Sequence, residues 1–598
     1  MGEPATENAS IALYQYMCQY IVGTEKHVKE MRMMNTIRDN LSSNDNTLII
    51  TSGSFGEGIE MRGSDLDIMI IWTPMEVCEN KNNNFNPDTV YFDMETNDTQ
   101  PGFTQLRFLH SKNRDINRFC VKRGHDLYLS STAIKQHMST FPSFSTVHGP
   151  CVTDKNGYLD IAVCLRSTSW VTTAMQWIER SNNTWPKNDV KASVVQHGIL
   201  FVPIGIKGSS SEDFEWRLSF SVGEKLLISS FTHSQLICYS LIKILLKDVI
   251  AIDCECKDLL CSYFMKTIVF WISEEISPTK WRPENLLSNF MSCFRRLVYC
   301  VENSVCPHYF IPENNLFENK ITGHARTILL NKLYILKSYG WRCILLSNQF
   351  LDFHLLVSDT LKDSDSTAID SFNKLLFSKM LRNVNGTIHR NTATLEYTIH
   401  LLLCIGSSKI KYIYLYYMSK CCCSKAQIMP LRSISGNKPT YIQYKVSMST
   451  LLLNMHHDAV SGWLLLASFF YANKQYNSAI YTLQYSLSKC SPEKVYEPFM
   501  KLSEIHREFV ALNLLKNMNF VRLWKILIVN NFSFQRNSTL IPDELKILED
   551  DLDICTFSPV EYIHFLSILC NKHLTNTSRC TDSIGVAIRH RGEIYHIR

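Results

Sequence analysis

The block TSGSFGEGIEMRGSDLDIMIIW, residues 51–72, constrains the fold of this chain most strongly, because two apolar runs meet there around a turn of small residues. Residues 47–51 are short, apolar and β-branched, which predicts a buried strand. Gly53 and Ser54 follow, where such a strand has to turn. The sequence therefore predicts a strand that ends in a tight glycine-serine turn.

A pair of carboxylates opens the second apolar run. Residues 65–72 predict the next strand, and side chains two positions apart on a strand face the same way. Asp65 and Asp67 are therefore expected on one face, beside the turn. Such a pair has two interpretations: side chains that are only solvated or capping, or ligands for divalent cations, since Mg²⁺ prefers carboxylate oxygens.

The order of these pieces resembles the polymerase-beta-like nucleotidyltransferase core. Nucleotidyl transfer uses two metal ions about 3.5–4 Å apart that neutralise a triphosphate and bridge the attacking and leaving oxygens. It also needs a backbone cradle for the phosphates, which small residues at a helix N-terminus supply. Gly53 would allow close approach, Ser54 would add a hydroxyl, and Asp65 and Asp67 would be two ligands. A third carboxylate from another strand would complete the site.

Length and composition limit the class of protein. A chain of 598 residues is too long for one ordinary core and predicts two or three domains. Hydrophobic residues make up 45% and charged residues 20%, as in a globular protein. No apolar run reaches about 18 residues, so no transmembrane helix is expected, and the polar N-terminus does not resemble a secretory signal.

The cysteines and the net charge say less. The 21 cysteines are scattered and odd in number, which favours reduced thiols and a cytoplasmic location. The formal charge of +5 permits binding to a polyanion but does not require it.

The N-terminal segment has helical periodicity. Residues 11–38 predict one long helix whose apolar positions recur at helical spacing. Four basic residues are expected on its outer face: Lys26, Lys29, Arg32 and Arg38. Two interpretations of them stay open, a solvated helix face and a phosphate-binding surface.

The next segments alternate between turns and strands. Residues 78–101 are polar and turn-rich, and predict an exposed insertion. Residues 151–166 predict a turn followed by a strand, with Asp160 near the start of that strand. Taken alone, Asp160 is compatible with a solvated acid at a strand end.

The rest of the chain is mainly helical in pattern. Residues 224–320 predict several apolar-periodic helices, and the helix-like pattern continues beyond residue 325. This predicts an all-α C-terminal region at 326–598. Residues 461–492 approximate one tetratricopeptide unit without a clear second copy, so a plain helical hairpin is the favoured interpretation.

Five blocks occur in the order found in one enzyme superfamily. They are GSFGEG with SDLDIM, YLDIAVCLRSTSW, EWRLSFSVGEKLL, LLCSYFMKTIVFW and HYFIPENNLF. By these blocks the chain resembles the cyclic GMP-AMP synthase and Mab-twenty-one superfamily of nucleotidyltransferases, in particular the invertebrate cGAS-like receptors. The resemblance implies an α+β fold. It has a polymerase-beta-like nucleotidyltransferase core with an N-terminal spine helix at 1–222, and a helical helix-hairpin-helix-like lobe at 223–325.

The resemblance assigns the metal ligands. Asp65 and Asp67 match the paired ligands of the family, although the vertebrate pair is Glu-x-Asp, and Asp160 matches the third carboxylate. Gly53 and Ser54 match the loop that holds the donor phosphates. These residues would hold two Mg²⁺ or Mn²⁺ ions, with Asp160 helping to accept a proton from the attacking ribose hydroxyl.

The resemblance also assigns nucleotide contacts. Arg217 and Ser219 match residues that touch nucleotide, and Lys243 matches a lysine that binds phosphate as a point charge. Ser262 matches a serine near phosphate, and Tyr263 a tyrosine that stacks on a base. The alternative for Tyr263 is an aromatic side chain packed on a helix face.

The implied activity is synthesis of a cyclic or linear dinucleotide second messenger from ATP and GTP in innate immune signalling. A STING-type receptor would bind the product. Zinc is not expected, because the zinc-binding insertion of the vertebrate DNA sensor has no counterpart after residue 225. Members of this family are often activated by double-stranded RNA or DNA, and the candidate surface for it here is the basic face of the first helix together with Arg114, Arg118, Lys122 and Arg123.

Two other functions stay open. Many Mab-twenty-one relatives have no demonstrated catalysis, so the chain could be a catalytically silent binding or developmental protein. The helical C-terminal half could also make it an adaptor.

Overall fold

The chain divides into two compact units, Met1–Val384 and Asn385–Arg598, which we describe separately. In the first unit, the computed structural model describes residues 3–353, apart from 60, 62–63, 80–85, 111–114, 141–143, 156, 181–184, 319 and 352. In the second, it describes residues 408–429, 437–491, 494–496, 525, 528–535, 537–546 and 554–575.

The first unit combines helices with one large sheet. Its helices are α1 (Glu3–Tyr16), α2 (Glu25–Ser42), α3 (Gly53–Gly56), α4 (Ser131–Ser139), α5 (Met175–Glu179), α6 (Asn188–His197), α7 (Ser221–Ser229), α8 (His233–Ile244), α9 (Ser262–Glu275), α10 (Leu286–Asn303) and α11 (Gly323–Ser338). Its strands are β1 (Thr47–Thr51), β2 (Leu66–Cys78), β3 (Val90–Glu95), β4 (Phe103–His110), β5 (Cys120–Arg123), β6 (Asp126–Leu129), β7 (Phe144–His148), β8 (Cys151–Asp154), β9 (Leu159–Ser167), β10 (Ile199–Val202) and β11 (Glu215–Ser219).

The sheet is organised around β2. Its order is β1-β2-β3-β4-β11-β10-β9-β8-β7, with the β5–β6 hairpin joined to β4. The first part of β2 also pairs in parallel with β9, and its last part pairs in parallel with β3. The pairings β2–β3–β4–β11–β10–β9–β2 therefore form a closed circuit, which places the starts of β2 and β9 side by side.

The two strands predicted around the glycine-serine turn are present. β1 has the predicted bounds and pairs antiparallel with β2. β2 continues to Cys78, beyond the predicted end at residue 72. The strand is longer because its last part, residues 75–78, pairs with β3, a strand that the sequence did not predict.

The prediction of one helix over residues 11–38 is wrong at its middle. A π-helical turn at Met17–Ile21 follows α1, and α2 begins at Glu25. Gly23 between them has φ +99°, a conformation that only glycine adopts easily. Thr24 then caps α2 by accepting a hydrogen bond from the His27 N–H at 3.3 Å.

The predicted basic outer face of this segment is correct only in part. Lys26 and Lys29 are exposed, and Lys29 pairs with Glu25. Arg38 is buried and donates to Thr51 Oγ1 at 2.7 Å, whereas Arg32 donates to the Glu57 carbonyl at 2.7 Å. Both arginines therefore join α2 to the elements beside it.

The prediction that residues 78–101 form an exposed insertion is wrong for its second half. Val90, Phe92 and Met94 alternate along β3 and are buried. The alternation of apolar residues in β3 spans only six positions and follows a polar run. The polar composition of the whole segment therefore hid the strand.

A large hydrophobic core runs through the first unit, beside a smaller buried cluster that includes Met69, Ile71 and Cys164. Its buried members extend from Ala12 to Phe353 and include residues of the sheet and of α7–α11. The predicted domain boundary at 222–223 lies inside this continuous core. The helices α8 to α10 bury mainly apolar side chains, which agrees with the long apolar periods of the sequence.

The second unit is mainly helical but contains strands. Its described helices are α12 (Ser408–Ile428), α13 (Asn437–Leu453), α14 (Ser461–Ala472), α15 (Tyr476–Ser488), α16 (Asp543–Lys546) and α17 (Pro559–His573). Its described strands are β12 (Val495–Tyr496), β13 (Ile528–Val529), β14 (Phe532–Gln535) and β15 (Ile554–Phe557). The all-α prediction is therefore wrong, because alternating buried Phe532 and Phe534 form a strand that pairs with β15.

The predicted helical hairpin is present in this unit. α14 and α15 pack against each other within residues 461–492. Among the residues that the structure describes, no helix is both long enough and apolar enough to cross a membrane.

Candidate active site

Three carboxylates from two neighbouring strands converge at one edge of the sheet. Asp65 precedes β2, Asp67 is its second residue, and Asp160 is the second residue of β9. Asp67 and Asp160 are direct partners in the parallel register. One ligand oxygen from each of the three lies within 4.8 Å of the others. The sequence placed these side chains together, and the register of β2 and β9 is the physical reason.

The cluster raises the proton affinity of its central member. Burial raises the pKa of Asp67 to about 7, and the neighbouring Asp65 and Asp160 carboxylates add to the effect. Like charges at this separation disfavour full ionisation unless a cation compensates them. The donor set is carboxylate oxygen alone, which fits Mg²⁺ or Mn²⁺.

Local contacts fix Asp160. Thr153 on β8 lies opposite Asp160 and donates its hydroxyl to Asp160 Oδ1 at 2.7 Å. The turn before β9 is shaped by Asp154, whose Oδ1 accepts from the backbone N–H groups of Tyr158 and Leu159 at 2.7 and 2.9 Å. Asp160 is thus oriented by its neighbouring strand, with Oδ2 left for another ligand.

The glycine-serine turn lies directly against the carboxylates. Gly53 has φ +58°, and a Cβ atom there would lie 1.8 Å from Asp67 Oδ2. The Ser52 N–H donates to the Asp67 carbonyl at 2.8 Å, which connects the turn to β2. Only glycine allows both this backbone conformation and this close approach.

Lys243 reaches the same turn from the helical lobe. Its ammonium donates to Ser54 Oγ at 2.5 Å, and the side chain is buried at 2% exposure. Burial lowers the pKa of Lys243 to about 8, while the nearby Glu57 carboxylate opposes this shift. The structure therefore brings the predicted phosphate lysine to the predicted phosphate loop, although α8 and the turn are far apart in sequence.

The other predicted nucleotide contacts lie on β11 and α9. Arg217 is exposed on β11, and Ser219 is the last residue of that strand. Ser262 and Tyr263 open α9, and the Tyr263 hydroxyl lies 2.6 Å from His308 Nε2. The Arg217 charge acts on both Tyr263 and His308, which places it near them. Within the described residues, Ser219 and Ser262 make no side-chain hydrogen bond to the other predicted site residues.

Two comparisons relate this chain to known proteins. A family model described as the Mab-21 protein HhH/H2TH-like domain matches residues 235–334, which include α9, α10 and most of α8 and α11. The chain is also 27% identical over 189 residues to the cyclic GMP-AMP synthase of Mus musculus, and 27% identical over 191 residues to that of Sus scrofa.

Both findings support a relationship to the cyclic GMP-AMP synthase and Mab-21-like nucleotidyltransferase superfamily. Each alignment covers 29% of this chain, and it covers 37% of the mouse protein and 38% of the pig protein. The chain therefore spans well under half the length of the curated relatives it matches. The match to the HhH/H2TH-like domain agrees with the predicted helix-hairpin-helix-like lobe.

Sequence reasoning missed two side chains that lie near the predicted site residues, Lys266 and His308. Lys266 on α9 forms ion pairs with Glu57 and Glu224. His308 lies in the segment that follows α10 in the sequence, and its Nε2 is 2.6 Å from the Tyr263 hydroxyl. A lone lysine in the apolar-periodic run SYFMKTIVFW was the available signal, because an unpaired charge inside a buried helix is costly. Its partners could not be identified, since both are far from it in sequence.

The candidate surface for a nucleic-acid activator is only partly described. Arg118, Lys122 and Arg123 are exposed around β5, whereas Arg114 lies outside the described residues. Arg123 donates to Gln105 Oε1 at 2.8 Å, and its guanidinium lies 5.0 Å from the centre of the Phe214 ring. Arg118 lies over Phe119 at 4.6 Å. Two of the three described cations thus have neighbours within the chain.

Proposed function

We propose that this protein is a metal-dependent nucleotidyltransferase that joins ATP and GTP into a cyclic or linear dinucleotide second messenger. The observation that carries the proposal is the convergence of Asp65, Asp67 and Asp160 within 4.8 Å, beside the turn at Gly53 and Ser54. Carboxylates from adjacent strands next to a close-approach turn suit a triphosphate with divalent cations.

The three carboxylates fit two Mg²⁺ or Mn²⁺ ions, and zinc has no role in the proposal. When bound, these ions supply neutralisation of the triphosphate charge and of the charge on the leaving pyrophosphate. Bound cations would stabilise the ionised form of Asp67, which burial and the two neighbouring carboxylates otherwise disfavour.

Each other side chain has a defined task. Ser54 and Lys243 hold the donor phosphates with a hydroxyl and a point charge. Thr153 holds Asp160 Oδ1, so that Asp160 Oδ2 can accept the proton of the attacking ribose hydroxyl. Arg217 and Tyr263 contact the nucleobases at the other end of the site. Catalysis of this kind relies mainly on positioning and charge neutralisation.

The biological setting is part of the same proposal and is supported by the superfamily relationship. We infer activation by double-stranded RNA or DNA, a STING-type receptor for the product, and a cytoplasmic role in innate immune signalling. The exposed cations Arg118 and Lys122 are available to such a polyanion, and binding there would weaken as salt rises.

Activity should be tested with radiolabelled nucleotides. The full chain is incubated with ATP, GTP, CTP and UTP, with Mg²⁺ or Mn²⁺, and with a panel of double- and single-stranded nucleic acids. A phosphatase-resistant product is expected, and Asp67→Asn should reduce its rate by at least about 10³-fold because it removes a ligand at constant shape. Asp45→Asn, an exposed acid before β1, is the matched control.

Two results would contradict the proposal. Product that persists in Asp67→Asn would show that the chemistry occurs elsewhere. Absence of product under every condition would favour the catalytically silent binding protein.

A further inference from the structure

Lys266 connects the turn that faces the phosphates to the helical lobe. Its ammonium on α9 lies 2.7 Å from Glu57 Oε1 and 2.9 Å from Glu224 Oε2. The three side chains are only 13%, 3% and 8% exposed, in the order Lys266, Glu57, Glu224. Glu57 directly follows the Gly53–Gly56 turn, and Glu224 lies on α7. Three separate elements therefore meet at one buried ammonium.

A second set of hydrogen bonds lies at the predicted base site, around His308 and Tyr263. His308 Nδ1 accepts from the backbone N–H groups of Phe310 and Ile311, each at 3.1 Å. The neutral ring must then carry its proton on Nε2, which donates to the Tyr263 oxygen at 2.6 Å. The Tyr263 hydroxyl proton is then free to point elsewhere. Burial, with the charge of the nearby Glu224 carboxylate adding to it, raises the pKa of Tyr263.

These side chains form one chain of neighbours, His308, Tyr263, Glu224, Lys266 and Glu57, in which Tyr263 and Glu224 are linked through charge and the others through hydrogen bonds or ion pairs. The chain runs from the pair of His308 and Tyr263, whose ring is predicted to stack on a base, to the residue after the phosphate turn. Side-chain networks in a buried setting act as a unit more than isolated pairs do.

Glu57 depends on this chain for its position. Its Oε1 is paired with Lys266, whereas its Oε2 is buried without a hydrogen-bond partner in the described residues. The Lys243 ammonium, which donates to Ser54 Oγ, is close enough to Glu57 for that carboxylate to oppose the lowering of its pKa by burial. Removing the Lys266 ammonium would leave Glu57 without its ion pair and draw Lys243 away from Ser54 toward it.

We propose that Lys266 is a positioning residue that couples the Tyr263 ring to the phosphate turn, so that a purine nucleoside triphosphate is held at both ends together. This inference rests on the proposed nucleotidyltransferase function. It predicts that the contact to the base and the contact to the phosphates are not independent, and that both weaken when the ammonium is lost.

The alternative is that Lys266 only stabilises the fold. A buried charge with two partners can do so without affecting ligand binding. Lys266→Met removes the ammonium and keeps an unbranched chain, whereas Lys266→Arg keeps the positive charge. Leu297→Ala, in the fully buried core of α10, is a control whose stability loss comes from a cavity.

The test is Mn²⁺-dependent binding of a fluorescent non-hydrolysable ATP analogue to the full chain, with the unfolding temperature of each variant. Lys266→Met should weaken binding about 10-fold, and Lys266→Arg should recover part of that loss. Leu297→Ala should leave binding unchanged, although its unfolding temperature should fall by a comparable amount. Tyr263→Phe, which keeps the ring and removes the hydroxyl, should weaken binding by at least about 3-fold.

The double variant decides the question. If the chain couples the two ends, Lys266→Met with Tyr263→Phe binds no worse than Lys266→Met alone. Effects that multiply, or wild-type affinity in Lys266→Met, would overturn the inference. Failure of the proposed function has a different signature, because the wild type would then show no Mn²⁺-dependent binding or Asp67→Asn would bind as tightly as the wild type.

Discussion

Three local features act on Asp67: its burial, two neighbouring carboxylates and the close approach of Gly53. Burial and two neighbouring carboxylates raise its pKa to about 7, and the unsubstituted side of Gly53 gives its carboxylate room. A divalent cation would offset the repulsion between these carboxylates. We therefore expect substitutions at Asp67 and Gly53 to reduce activity more than those at other single positions of the site.

Gly53→Ala should abolish most activity. The new methyl group would meet Asp67 Oδ2 at 1.8 Å, and the residue would keep φ +58° at a cost of about 1–2 kcal/mol. We expect a rate loss of about 10²-fold, since misplacement by an ångström costs that much. Gly124→Ala is the matched control, because Gly124 has φ +63° with no atom within 4 Å of its added Cβ. Equal activity losses in the two variants would show that the clash with Asp67 is irrelevant.

His308 makes stability depend on pH. Burial, with a smaller contribution from Arg217, lowers the pKa of His308 to about 3. The unfolded chain, with a pKa near 6.5, therefore binds more protons between these values, and the free energy of unfolding falls as pH decreases from about 6.5 to 3. The steepest slope is about 1.4 kcal/mol per pH unit.

The measurement is denaturant unfolding at a series of pH values. His308→Gln should flatten the slope, whereas His324→Gln, at an exposed position on α11, should leave it unchanged. A profile for His308→Gln that is parallel to the wild type would contradict this assignment.

At the level of single residues, the sequence identified the reacting groups better than their supports. Strand alternation predicted that Asp65 and Asp67 share one face, whereas Asp160 was assigned to the cluster by the family resemblance alone. Thr153 and Lys266 could not be predicted, since their roles depend on register and on helix packing. Arg38 was wrongly placed on an outer face, because an arginine that bonds Thr51 from within looks the same in sequence as a solvated one.

Among the elements, β2 organises the site, and α2 fixes the strand beside it. Asp39 on α2 accepts from the Thr51 N–H at 2.7 Å and from the Thr51 hydroxyl, and Lys225 lies 3.6 Å from the same carboxylate. Lys225 also donates to the Thr51 carbonyl at 2.9 Å. These contacts hold the end of β1, from which the glycine-serine turn begins.

Asp39→Ala should destabilise the first unit strongly. It leaves the Thr51 N–H and a largely buried ammonium without their carboxylate, which costs roughly 3–5 kcal/mol of unfolding free energy. Asp45→Ala, an exposed acid in the next loop, should stay within about 0.5 kcal/mol of the wild type. Chemical unfolding measures both, and similar values for the two variants would contradict the role of Asp39.

The elements themselves were predictable where one residue pattern dominated. β1 was predicted to the residue because its β-branched run has no competing period. β3 and β14 were missed because short alternating strands next to polar runs carry a weak signal. The break between α1 and α2 was missed because apolar residues continue at helical spacing through Gly23, and its positive φ is a tertiary outcome.

At the scale of the whole molecule, the first unit contains every residue of the proposed site. Its core runs continuously from Ala12 to Phe353, so the sheet and the helical lobe share one apolar interior. The second unit has a separate core that includes Leu464, Leu466 and Tyr562.

A protein restricted to residues 1–384 should therefore fold by itself. We expect one cooperative unfolding transition and Mn²⁺-dependent nucleotide binding within about 3-fold of the full chain, by calorimetry and fluorescence titration. A truncated protein that aggregates or loses binding would show that residues 385–598 contribute to the site. Retained binding would weaken the alternative in which the C-terminal half is the working part.

Anomalous diffraction tests the central claim most directly. Crystals of the full chain with Mn²⁺ and a non-hydrolysable triphosphate should show manganese peaks within about 2.5 Å of carboxylate oxygens of Asp65, Asp67 and Asp160, with the triphosphate against Gly53 and Ser54. Ordered triphosphate with manganese bound elsewhere, or with Asp160 outside coordination distance, would contradict the account.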